Sequence, residues 1–198
     1  YNVKAAYDSG NDEVTVSADV DDSNLKSVKV DASPFGAGTV DLTLAKDNTY
    51  TATFTPGAYD GKEASLRVTA TDSEGNAAYG SDTVTVDNAA PTLDSATKQS
   101  DTKIDVVISD GVDVDESTIA KTDFSLSAGS VDSIATSESG GTTTVTLTLT
   151  SAVDADSVDV SIADGETIAD TSGNQLTDSA KAVTASNMDG VAPTLDSA

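Results

Sequence analysis

Apolar and polar residues alternate along most of this chain, and helical periodicity is nearly absent. In Val14-Thr15-Val16-Ser17-Ala18-Asp19-Val20 every second residue is apolar. The same holds in Val40-Asp41-Leu42-Thr43-Leu44, Tyr50 to Phe54, Leu66 to Ala70 and Val84 to Val86. Alternation places one face of a strand on a core and the other in water. β-branched Thr on the wet face suits a pleated surface. One-sided burial marks antiparallel pairing, because parallel strands read as continuous apolar runs. Clusters of Asp, Asn, Gly and Pro punctuate the strands, at Asp8 to Asn11, Asp21 to Asn24, Pro34 to Gly38, Lys46 to Asn48, Pro56 to Gly61 and Asp72 to Asn76.

With short segments at Asn2 to Ala6 and Ser27 to Val30, the first half predicts seven strands. Its core is read as Val14, Val16, Val28, Val30, Leu42, Leu44, Phe54, Leu66, Val68, Val84 and Val86. The second half predicts strands at 93–96, 104–108, 124–126, 131–135, 143–149, 158–162 and 182–185, with one helical turn over Asp115 to Ala120. Seven short strands in about 100 residues specify an immunoglobulin-like sandwich. The fold class expected is therefore all-β, two tandem immunoglobulin-like antiparallel β-sandwiches.

A repeat fixes the division. Ala90-Pro91-Thr92-Leu93-Asp94-Ser95-Ala96 returns unchanged at Ala192 to Ala198, and a domain-sized offset signals an array of modules. The boundaries read are 1–88 for the first sandwich, 89–190 for the second, and 191–198 for the start of a further repeat or an exchanged strand.

The charge changes the picture of the surface. Thirty-four acids against ten bases give −24, of which −9 falls in residues 1–88 and −14 in 89–190. Only six of the acids are Glu, and Arg67 is the only arginine. This is the composition of a protein of concentrated salt, where a Debye length of ~3 Å at 1 M silences the self-repulsion. A calcium-loaded marine surface protein has the same look. No basic patch exists to neutralise phosphates, so nucleic acid is disfavoured as a partner, and an anionic membrane surface with it. No apolar run reaches the ~18 residues that span a bilayer, so no membrane insertion is expected in this segment. Cysteine and histidine are absent, which removes disulfides, thiolate and imidazole metal sites, and the usual nucleophile triads. The expectation is that this is not an enzyme. No Asn-x-Ser/Thr sequon occurs, while abundant Thr and Ser leave O-linked sugars open.

Candidate chemistry is confined to carboxylates. Two Asp-x-x-Gly-Asn units occur, Asp72 to Asn76 (with Glu74) and Asp170 to Asn174. One reading is a turn, in which Asp bonds its own backbone and Gly takes positive φ. The other is calcium, which wants six to eight oxygens from carboxylates, Asn and carbonyls. Asp87-Asn88-Ala89-Ala90-Pro91 aligns with Asp189-Gly190-Val191-Ala192-Pro193. A plain linker explains both, with Pro91 at a domain boundary. Asp110 to Glu116 lacks the EF-hand spacing and reads as a solvated acidic loop.

Two stretches carry a resemblance. Val68-Thr69-Ala70-Thr71-Asp72-Ser73-Glu74-Gly75-Asn76, followed by Thr83 to Asp87 and Ala90-Pro91, is similar to the closing strands and linker of bacterial and archaeal immunoglobulin-like surface repeats. Val145 to Leu149 followed by Ile168 to Leu176 resembles the repeats of S-layer proteins and large adhesins. The Asp87 to Pro91 linker resembles those of cadherins, whose calcium ions stiffen the joint. The resemblance implies an extracellular cell-surface protein of haloarchaeal or bacterial type, with partners that are other copies of itself, other surface proteins or glycans. It implies calcium, Ca2+, at Asp72, Glu74, Asp87 and Asn88 converging with Asp113 or Asp115, and at Asp170 and Asp189. The function expected is a structural or adhesive repeat. Alternatives are a surface filament, pilus or S-layer subunit assembled by strand exchange, and an accessory module of a secreted hydrolase.

Overall fold

The computed structural model describes residues 2–163, 168–176 and 182–191. The chain is all-β and divides into two compact units, Tyr1–Ala89 and Ala90–Ala198.

Unit 1 contains β1 (Val3–Asp8), β2 (Glu13–Asp19), β3 (Leu25–Asp31), β4 (Thr39–Asp41), β5 (Thr43–Lys46), β6 (Thr49–Phe54), β7 (Lys62–Asp72) and β8 (Ala77–Val86). They form two antiparallel sheets, in the orders β1-β2-β6-β5 and β4-β3-β7-β8. First, second, fifth and fourth strands on one sheet, facing third, sixth and seventh on the other, is the immunoglobulin arrangement, here with one extra strand. The alternation in sequence becomes the inner face: Val14, Val16 and Ala18 on β2, Val28 and Val30 on β3, and Leu66, Val68 and Ala70 on β7 are all buried. Each buried Val or Leu among them contributes roughly 1.5–3 kcal/mol of transfer free energy, and each Ala about 0.8.

The predicted strand Val40 to Leu44 is in fact two strands in opposite sheets. β4 pairs with β3 and β5 pairs with β6, and the crossing residue Leu42 is buried with its N–H on the Val28 carbonyl at 2.8 Å. Changing sheets changes which side faces inward. Leu44, expected in the core, is therefore 57% exposed on the edge strand β5. Phe35 takes up core volume the periodicity did not reveal. It sits in a 3-10 turn, Ser33–Phe35, between Pro34 and Gly36 (φ +81°), and is fully buried.

Unit 2 contains β9 (Thr92–Ser100), β10 (Lys103–Ser109), β11 (Phe124–Leu126), β12 (Val131–Glu138), β13 (Thr142–Leu149), β14 (Ser157–Ile162) and β15 (Ala182–Ser186). The sheets are β12-β13-β10-β9 and β11-β14-β15, the seven-strand form of the same sandwich. Ile104, Val106, Ile108, Val145, Leu147, Val158 and Val160 line its core. The helical turn expected after Asp115 is a 3-10 turn over Glu116–Thr118, with Asp115 accepting from the Ser117 N–H at 3.0 Å. Gly141, at φ +73°, opens β13. A Cβ there would lie 2.4 Å from the Asp110 carbonyl, so no other residue fits without moving backbone.

Candidate functional site

The two Asp-x-x-Gly-Asn units adopt one geometry. The Asp72 N–H donates to the Asn76 carbonyl at 3.0 Å, and the Gly75 N–H donates to the Asp72 carbonyl at 3.3 Å. The Asp72 carboxylate accepts from the Asn76 N–H at 2.8 Å and the Asn76 Nδ2 at 2.7 Å. In unit 2 the Asp170 N–H meets the Asn174 carbonyl at 3.0 Å, and Asp170 Oδ1 accepts from the Ser172 and Asn174 N–H groups at 2.8 and 2.9 Å. Its Oδ2 accepts from Asn174 Nδ2 at 2.8 Å. Gly75 and Gly173 have φ of +89° and +90°, the left-handed region that favours glycine. Both motifs are thus self-stapled turns. The Asn76 side chain, then backbone N–H groups of the turn, hold the Asp72 carboxyl below its ordinary range. Asp170 is the buried counterpart, 2% exposed, and its own turn supplies donors to both carboxylate oxygens.

The convergence expected of Asp72 and Glu74 with Asp87 and Asn88 does not occur. β7 and β8 form one long hairpin, registered from Thr71↔Ala77 at its turn to Lys62↔Val86 at its open end. At ~3.4 Å per residue the two ends lie about 30 Å apart. Asp72 and Glu74 sit at the turn, while Asp87 and Asn88 follow β8 at the opposite end. Strand length alone separates them.

At that opposite end the structure gathers residues that no local pattern joins. Asn88 Nδ2 donates to Asp12 Oδ1 and to the Gly57 carbonyl, both at 3.0 Å. Its Oδ1 accepts from the Tyr59 N–H at 2.7 Å, and its N–H returns to the Tyr59 carbonyl at 3.0 Å. The Tyr7 hydroxyl also donates to Asp12 Oδ1 at 3.0 Å. Burial pushes Tyr7 up to about 12 from an ordinary 10.0, reinforced by the Asp12 carboxylate it bonds and by the charges of Asp87 and Asp8. Asp60 and Asp87 bring carboxylate oxygens within 4.8 Å of each other, and Asp87 is 2% exposed. The sequence does not reveal Asp12 or Asp60, because Asp12 reaches Asn88 and Asp60 reaches Asp87 only through antiparallel register and loop closure.

In unit 2, Asp113 and Asp115 flank the bridge Val114↔Asp170. The Thr171 N–H donates to the Asp113 carbonyl and the Asp115 N–H to the Ala169 carbonyl, both at 2.9 Å. The Asp115 carboxyl is held low by the hydroxyl and N–H of Ser117. Glu138 is held above its usual value because it shares a hydrogen bond with Asp113, with burial and the charges of Asp113 and Glu116 adding to it. Asp189 is exposed and caps its own turn, accepting from the Val191 N–H at 3.0 Å. Its alignment partner Asp87 is buried, so the two aligned linker residues have different environments. The repeated segment Ala192 to Ala198 lies outside the described residues.

No protein-family model matches the chain, and no curated protein matches it. Among solved structures, it is similar to a three-immunoglobulin fragment of titin, at 11% identity and TM-score 0.46, over 93% of this chain and 63% of that one. It is similar to another titin I-band fragment at 10% identity and TM-score 0.42, with the same coverage. A Bacteroides ovatus protein of a mixed-linkage glucan utilization locus, solved with a mixed-linkage heptasaccharide, gives 17% identity and TM-score 0.26 over 91% of this chain and 41% of that one. The chain spans 63% of the length of each of these two titin fragments.

Proposed function

We propose that the chain is a non-catalytic structural or adhesive repeat of an extracellular cell-surface protein, adapted to concentrated salt. The observation that carries this reading is the duplication of one module. Two sandwiches of one strand plan carry the same closing turn, bonded in the same way at Asp72 and Asp170. Modules in tandem extend a polymer, whose stability is a sum over modules and the junctions between neighbours. Acidic, hydrated faces keep such a polymer dispersed in brine. Absence of His and Cys from the sequence favours a mechanical over a chemical role.

Stretching single molecules between the termini tests it. Two discrete unfolding events are expected, each releasing about 300 Å of chain from the 84 residues of Val3 to Val86 and the 95 of Thr92 to Ser186. Smooth extension without events would rule out a load-bearing module.

Calcium belongs to the same proposal, at Asp60 and Asp87 of unit 1. Carboxylate oxygens suit a hard cation, and Asp60 and Asp87 already have oxygens within 4.8 Å of each other. The stapled turn at Asp72 is a separate place, about 30 Å away at the other end of the β7–β8 hairpin. Calorimetric titration with CaCl2 should show heat that Asp87→Asn abolishes and Asp72→Asn leaves in place. Equal loss in both variants, or no heat in the parent, would remove the cation from the proposal.

A further inference from the structure

The solvent face of β3, β7 and β8 differs from the rest of this acidic surface. Two cross-strand rows lie side by side there. One is Lys29, Thr69 and Tyr79, and the other is Asp31, Arg67 and Ser81. Residues two apart along a strand share a face, so all six project to the same side. Tyr79 is 55% exposed, and the only arginine of the chain lies over its ring, 4.1 Å from guanidinium carbon to centroid. Among the described residues the ion pairs within 4 Å are Lys29–Asp41 and Lys98–Asp101, and Arg67 is in neither. Its charge is still felt by Asp31, whose carboxyl is held low mainly by Ser33 with Arg67 adding to it. The guanidinium thus lies over an aromatic ring on an exposed side chain. Two shallow hollows of about 320 and 530 Å³ open on either side, and Arg67 lines both.

We infer that Arg67 and Tyr79 form a binding site for an acidic polysaccharide, with the guanidinium taking a carboxylate or sulfate and the exposed ring taking the adjoining sugar face. A planar guanidinium presents paired donors that match such anions bidentately. An amphipathic tyrosine supplies apolar area at low entropic cost. The Thr69, Ser65 and Ser81 hydroxyls around the pair suit sugar hydroxyls. A row across three strands spans about 10 Å, a platform suited to a short stretch of glycan. A protein partner fits less well. Stable protein interfaces want an apolar core within about 1,200 Å² or more, and Tyr79 is the only large apolar side chain exposed on this face. The surface-module reading underlies this assignment and is deepened by it. Two unfolding events without saccharide binding would keep that reading and remove the site.

The experiment is calorimetry and NMR titration of the full chain with tetragalacturonate, a heparin-derived sulfated tetrasaccharide and neutral cellotetraose. Binding of at least one acidic oligosaccharide is expected, tighter than any binding of the neutral one. Arg67→Lys, which keeps the charge and loses the fork, should weaken it about tenfold or more, as should Tyr79→Ala, with both variants still folded by circular dichroism. Uronate-only or sulfate-only binding would identify the anion. No binding of either acidic probe, equal binding of the neutral probe, or unaltered affinity in both variants would overturn the site. Concentration-dependent self-association lost in Arg67→Lys would instead make the occupant the acidic face of a second copy, and would also overturn it.

Discussion

Asn88 offers the sharpest test of how unit 1 is closed. Its side chain makes three hydrogen bonds, to Asp12, Gly57 and Tyr59, and so ties the end of β8 to two loops distant in sequence. Asn88→Ala removes all three and leaves the half-buried Tyr59 N–H without its acceptor. A neutral hydrogen bond contributes about 0.5–1.5 kcal/mol net, and one to a charged group about 1.5–3. Asn88 is only half-buried, so water replaces part of what is lost. The expected cost is about 2–4 kcal/mol at 25 °C. The tyrosines make the assay selective. All five precede residue 80 and there is no tryptophan, so tyrosine fluorescence reports unit 1 while far-UV circular dichroism reports both units. In 1 M NaCl, urea titration should show the fluorescence transition moved to lower denaturant with an unchanged slope, and the unit 2 transition in place. Asn88→Asp keeps the shape but puts a carboxylate against Asp12. Its loss should be greater at 0.1 M than at 1 M salt, where the repulsion is screened. A cost under about 1 kcal/mol for Asn88→Ala would refute the closure argument. Equal loss in both units would refute the independence of the two transitions.

Three further outcomes are expected of the same structure. Leu66→Ala, in the centre of β7 and fully buried, should cost about 2–5 kcal/mol by urea titration, while Leu44→Ala on the exposed edge should stay within about 0.5; comparable losses would contradict the sheet-switching at Leu42. Tyr7 has a folded pKa of about 12, above its unfolded 10.0, so the bonded phenol stabilises fully below pH 10 and that stabilisation is lost as pH rises toward 12. Ultraviolet titration should show a late-ionising component that Tyr7→Phe removes, and an alkaline profile the same in parent and variant would disprove the Asp12 bond. With a net charge of −24, thermal midpoints should rise steadily from 0.05 to 1 M NaCl, and a flat response would discard adaptation to brine.

The fold was legible because one-sided burial writes itself as a period of two. Val14, Val16, Val28, Val30, Leu66 and Val68 were all named for the core, and all are buried. Periodicity failed where the backbone leaves one sheet. Leu44 continues the alternation of Val40 and Leu42, yet the crossing at Leu42 carries it to a solvent edge. Phe35 was invisible for the complementary reason, since a single aromatic inside a Pro-Gly loop has no neighbours to set a phase. The carboxylate positions were less legible still. Asp72 and Asp87 are fifteen residues apart and look close in the sequence, but the hairpin between them is fully extended. Asp12 and Asn88 are seventy-six apart and bond directly at one end of the sandwich, where Tyr7 shares the same carboxylate oxygen.

The excess of Asp over Glu has a second cause besides solvation, and the hydrogen bonds separate the two. Asp8, Asp22, Asp31, Asp115 and Asp189 each accept from a backbone N–H two residues on, at 2.7–3.1 Å. Asp72 and Asp170 close five-residue turns from the first position. Glu, one methylene longer, does not close these rings well. Asp8, Asp31, Asp72 and Asp115 are held below the ordinary carboxylate range chiefly by side-chain partners, Asn11, Ser33, Asn76 and Ser117, with the turn N–H groups adding to them. Much of the aspartate count is therefore the turn chemistry of a protein made of short strands, and would be expected of this architecture at any salinity. What turn chemistry does not account for is the scarcity of bases, ten against thirty-four acids. The case for a life in brine rests on the missing lysines and arginines rather than on the aspartates. The same scarcity makes Arg67, laid over an exposed ring, stand out as a placement that surface charge alone does not explain.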